Sequence, residues 1–150
     1  MKSICLASVC FLVSVSSLLA QTQNQLSPST SRPQVGVTIF SDGKPTDQKT
    51  GIKAAAKEIR FRALLNTKLD ESFRDFKSEL LIKNTQVLLT RNGRTIAQMN
   101  TKDGHLANNL IQNAQPEDHI AFIFTLVAQR KNGELVSLPE QPTYNFPIRE

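Results

Sequence analysis

The histidines His105 and His119, the carboxylate pairs Asp70-Glu71 and Glu117-Asp118, and the cysteines Cys5 and Cys10 are the side chains whose types could support catalysis or metal binding. Their spacing does not assemble them. Neither histidine has a His or Cys neighbour at zinc-ligand intervals. His105 lies in a Gly-containing loop and His119 opens an apolar run, so each reads as a surface or strand-edge residue. Adjacent residues of a strand point to opposite faces, which leaves Glu117 and Asp118 poorly placed to share a substrate as glycosidase carboxylates do. Both acidic pairs stand where elements should begin, and turn or helix-dipole roles suffice there. No G-x-S-x-G, phosphate-loop or H-E-x-x-H pattern occurs. "TKDG" is too short for a calcium loop. The expectation is a non-enzymatic chain with no catalytic residue, no metal site and no cofactor.

Both cysteines belong to an N-terminal stretch that reads as an export signal. Lys2 gives it a positive start, residues 4–15 are apolar, and Ala20 precedes polar Gln21. Cleavage is expected after Ala20, leaving a mature chain without thiols or disulfides. The apolar stretch is too short to span a bilayer comfortably, so no membrane span is expected after cleavage. The whole chain carries a net charge of +5, and the only charge in residues 1–20 is Lys2. An exported chain with so modest an excess, and without Trp, is not expected to bind nucleic acid. The periplasm is the expected location, with the cell surface or exterior as alternatives.

The elements that must position any site follow from local pattern. Residues 21–34, "QTQNQLSPSTSRPQ", read as a flexible leader. Residues 35–150 should form one domain, since 150 residues hold a single substantial core. "VGVTIF" alternates Val35, Val37 and Ile39, a strand pattern. Asp42-Gly43 and Pro45 signal a turn. "IKAAAKEI" is rich in helix formers and predicts a helix. Ile59, Phe61 and Ala63 alternate with Arg60 and Arg62, predicting a half-exposed strand. Leu69, Phe73, Phe76 and Leu80 form a helical stripe, which Asn66 or Thr67 could cap. Val87 and Leu89 predict a strand that leads through Asn92-Gly93 into a hairpin, because both residues tolerate the positive φ of a type I′ turn. Leu106, Leu110 and Ile111 suggest a short helix or turn, ended by Pro116. Residues 120–128 are nearly all apolar and rich in β-branched and aromatic types. They predict a central strand buried on both faces. Asn132-Gly133 predicts a second hairpin, and the last strand should run around residues 144–148. The expected fold is a small, largely antiparallel β-sandwich-like domain of about six strands with two or three short helices.

The order of these motifs resembles the C-terminal domain of GldM-type gliding-motility proteins. The family's Arg-flanked hairpin is matched by Arg91-Asn92-Gly93-Arg94. Its A-x-P-G-D-x-I element is matched by Ala114-Gln115-Pro116-Glu117-Asp118-His119-Ile120, with Glu117 in place of the usual glycine. Its N/D-G turn and terminal F-x-I strand are matched by Asn132-Gly133 and Phe146-Pro147-Ile148. The likeness covers residues 52–148. It implies a β-rich periplasmic interaction module, a stand-alone copy whose partner is a cell-envelope protein of the type IX secretion and gliding machinery. The basic turns at Arg91 to Arg94 and Arg130 to Gly133 are then candidate contact points, although strand pairing alone accounts for them. A different class, a secreted binder of a glycan or small molecule, would instead show exposed aromatics around a concave pocket.

Overall fold

The computed structural model describes residues 33–68 and 71–150. The expected export signal, residues 21–32 of the leader, Leu69 and Asp70 lie outside them. Nine strands form in chain order: β1 (Val35–Ser41), β2 (Lys44–Pro45), β3 (Ile52–Lys53), β4 (Ile59–Leu65), β5 (Leu81–Arg91), β6 (Arg94–Thr101), β7 (His119–Gln129), β8 (Leu135–Ser137) and β9 (Thr143–Arg149). A 3-10 turn at Glu71–Phe73 and one α-helix, α1 (Gly104–Gln112), complete the described elements. The strands are thus more numerous than the sequence suggests, because β2 and β3 are too short to carry a period.

The domain is mainly β and sandwich-like. One sheet has the order β2-β1-β4, and the other β3-β9-β7-β5-β6, with β8 beside β7. All pairings are antiparallel except β3 with β9. Phe61 of β4 reaches across the core to Phe122 and Phe124 of β7, with ring centroids 5.3 and 5.1 Å apart in edge-to-face geometry. The Tyr144 hydroxyl on β9 accepts a hydrogen bond from the Val37 N–H of β1 at 3.0 Å, a polar tie between the sheets.

The hairpin at Asn92-Gly93 forms as its residue types require, with φ of 49° and 74°. The second Asn-Gly turn differs. Only Gly133 has positive φ, at 95°, while Gly133 N–H donates to Arg130 O and Arg130 N–H to Glu134 O. This is a longer turn closed by a glycine bulge, and it feeds the short β8.

Two expected helices do not form. In "IKAAAKEI", Ile52 and Lys53 pair in parallel with Ile148 and Arg149. The Ala54 N–H donates to Arg149 O, and the N–H groups of Lys57 and Glu58 donate to Asp42 Oδ1. An eight-residue helix is marginal by itself. Here tertiary acceptors take the donors a helix would have used. In the segment of Phe73, Phe76 and Leu80, only the 3-10 turn is helical. Beyond it the chain turns and then makes isolated bridges: Leu65 N–H donates to Ser78 O, Leu80 N–H to Ala63 O, and Lys77 N–H to Gln129 O. The apolar stripe is nevertheless buried at Leu80 and packs Phe73 and Phe76 against the core.

Strand β7 is central, between β5 on one side and β8 and β9 on the other. Its burial corrects the expectation of two dry faces. Ile120, Phe122, Phe124 and Leu126 are fully buried, whereas Ala121, Ile123 and Thr125 are half-exposed. The six-stranded sheet therefore has an outer face open to solvent.

Candidate interaction surface

Strand register determines what that outer face carries, because directly paired residues share a face. Gln98 of β6, Leu88 of β5, Ala121 of β7 and Asn145 of β9 lie in one row. Asn100, Gln86, Ile123 and Thr143 form the next. Thr90, His119 and Pro147 make a third, with Asn84 and Thr125 paired at the opposite end. The only ionisable group in these rows is His119, at the margin. Four strands and about six residues give a patch of roughly 15 by 20 Å. Solvent-facing sheet surfaces of a basic protein ordinarily carry Lys, Arg or Glu. Charge is depleted at the core of protein interfaces, which this face matches.

The patch continues into an apolar hollow of about 330 Å³ lined by Leu81, Val127, Leu135, Ser137 and Lys83. Leu81 and Leu135 are among the most exposed large apolar residues of the domain. On the other side the patch ends at β6, which among the described residues pairs with β5 alone. That edge has neither the lysine nor the proline with which sheet edges are usually blunted.

The hairpin arginines behave unlike free basic tips. Arg91 is not an exposed contact residue: its Nε and Nη2 donate to Asp118 Oδ1 and Oδ2 at 2.7 and 2.8 Å. Asp118 is only 2% exposed and also accepts the Gln115 N–H at 2.7 Å. The hydrogen bonds from Arg91 hold its carboxyl below the usual carboxylate range, outweighing the upward push of burial. Arg91 is raised in turn, chiefly by the same hydrogen bonds. Arg94 is left as the exposed cation of that tip. At the second turn, Arg130 lies over the Phe76 ring, 5.2 Å from its centroid.

No known protein family, characterised protein or solved structure matches this chain.

The acidic pairs are separated in role. Asp118 is the buried partner of Arg91, while Glu117 is exposed. Glu71 pairs with Arg74 at 2.8 Å on the surface. Residue 105 falls in the first turn of α1, and His119 is exposed at the start of β7. Among the described residues no three His, Cys, Asp or Glu side chains gather to hold a metal ion, and no helix is long and apolar enough to cross a membrane. A hollow of about 540 Å³ beside β1 and β4 has one aromatic in its lining, Tyr144, whose hydroxyl is already engaged with Val37.

Pro116-Glu117 is the turn that delivers Asp118. The Asp118 N–H donates to Gln115 O at 3.1 Å, and Glu117 has φ 75°. Proline at the first central position and positive φ at the second define a type II turn, which favours glycine where Glu117 stands. Glu117→Gly is expected to stabilise the domain by about 0.5 to 1 kcal/mol, the relief of left-handed strain exceeding the added freedom of the unfolded chain. A rise of a few degrees in the thermal midpoint would show it. An unchanged or lower midpoint would mean that the side chain is not strained there.

Sequence reasoning missed the outer face as a site. Its signal was nevertheless present: residues 84–90, 95–101, 120–129 and 143–148 contain no Lys, Arg, Asp or Glu.

Proposed function

We propose that this domain is an exported, non-catalytic protein-binding module that docks a cell-envelope partner on the uncharged outer face of its larger sheet. The observation that carries the reading is the run of uncharged cross-strand rows from β6 to β9, bordered by an apolar hollow and an unblunted edge. A partner segment adding to β6 would gain backbone hydrogen bonds and extend the same face. The motif order shared with GldM C-terminal domains supports a role beside type IX secretion or gliding components. The patch is smaller than the roughly 800 Å² per partner of a standard interface, so the reading includes either a transient contact or added burial along β6 and the hollow. Glycan or small-molecule binding is less supported, since the aromatics are mostly committed to the core.

The test uses exposed positions that do not hold the fold. Gln98→Lys together with Asn100→Lys places two charges in the rows. These changes should leave the thermal midpoint nearly unchanged. Wild-type protein should enrich secretion or motility components from envelope extract, and the double variant should lose that enrichment by at least about tenfold. Equal capture by both proteins, or no enrichment of such components by wild type, would overturn the proposal.

A further inference from the structure

The seam between the two sheets holds a groove distinct from the outer face. Two connected hollows of about 450 and 410 Å³ share Phe61, Ile82 and Lys102 in their walls. Arg60 and Arg62 line the β4 side, one in each hollow. Asp103 belongs to one end and Glu79 to the other, which leaves the middle of the groove cationic around an apolar floor.

The backbone of β4 is interrupted at the same place. Its even positions bond to β1, as Asp42 N–H to Glu58 O and Asn66 N–H to Gln34 O show at either end of that ladder. By the alternation of an antiparallel pair, the odd positions face the groove. Ala63 and Leu65 are engaged there by Leu80 and Ser78. Gly104 sits so close to Ile59 O that a Cβ would overlap it, closing the other end. Between these blocks, the N–H and C=O of Phe61 meet no backbone partner among the described residues. Two of the cations are also uncommitted. Arg60 is paired with Glu58 at 2.6 Å, and Lys77 donates to Gln129 at 2.8 Å. Arg62 and Lys102 have no side-chain partner among the described residues.

We infer that this groove binds a short acidic peptide segment in extended form. One of its residues completes the ladder at Phe61. Its apolar side chain lies on Phe61 and Ile82, and the carboxylates on either side of it meet Arg62 and Lys102. The gap is one residue pair long, so affinity is modest and depends on charge. This site is independent of the outer face.

A fluorescein-labelled Glu-Val-Glu-Val-Glu peptide, blocked at its C-terminus, serves as the probe. Fluorescence anisotropy should show saturable binding that weakens at least about fivefold between about 20 and 200 mM salt. Arg62→Glu together with Lys102→Glu should abolish it, while Gln98→Lys with Asn100→Lys leaves it intact. Amide exchange at Phe61 should slow when the peptide is bound. Three results would overturn the inference: no saturable binding, equal binding of the Lys-Val analogue, or binding that leaves Phe61 exchange unchanged. Failure of the wild-type protein to enrich envelope components, or equal capture by the outer-face variant, with peptide binding retained would count against the proposed function alone.

Discussion

Phe122→Ala should lower the unfolding free energy by about 3 to 5 kcal/mol, the range for emptying a buried aromatic site. Phe122 is fully buried. Its ring meets Phe61 at 5.3 Å, Phe146 at 6.0 Å and Phe124 at 6.4 Å, so one truncation removes contacts from both sheets. Backbone pairing to β5 and β9 fixes the surrounding strands, and they cannot collapse into the space. Domains of this size are stable by only about 5 to 15 kcal/mol, so roughly a fifth or more of the total is at stake. Urea unfolding followed by far-UV circular dichroism reads it. Phe122→Leu, which leaves a smaller void, should cost clearly less. A loss under about 1 kcal/mol for the alanine variant would mean that the inter-sheet aromatic cluster is not the core.

The second large effect depends on pH. The Asp118 carboxyl is held below its ordinary range by Arg91, so its contribution is fully present above the unfolded-state value of about 3.9. That contribution is lost as pH falls through the lower folded-state value. Asp118→Asn lacks it at every pH. The variant should therefore be less stable than wild type by about 2 kcal/mol at neutral pH, less than a fully buried pair would lose because solvent screens Arg91, which is 35% exposed. The gap should shrink as both proteins are acidified below the ordinary carboxylate range. Paired urea titrations at neutral and strongly acidic pH test this. A gap that stays constant would assign the loss to the turn rather than to the charge.

Sequence legibility divided by range. The strands with a clear period, at Val35, Val37 and Ile39 and at Val87 and Leu89, could be read because neighbouring residues alone set which face is buried. The Asn92-Gly93 turn could be read because positive φ is a property of the residues themselves. The segment starting at Ile52 could not, because its donors are taken by Arg149 and Asp42, which are distant in sequence. The stripe of Phe73, Phe76 and Leu80 had the right burial and the wrong backbone, since apolar spacing does not distinguish a helix from a loop folded over the same core. Arg91 read as an exposed tip because nothing local shows that Asp118 lies beside it. The outer face needed the register of four strands, including irregularities near Lys83 and between Leu89 and Thr90. The absence of charge was visible in the sequence, but which residues stand side by side was not.

The tie from Tyr144 to Val37 spans 107 residues, and β9 also holds β3 and one flank of β7. Its consequence is kinetic. Closing contacts so far apart in the chain makes folding slow. Until β9 docks, the apolar β7 presents part of an open edge, and β3 has no strand to join. A chain emerging from its N-terminus cannot close this domain before its last strand is free.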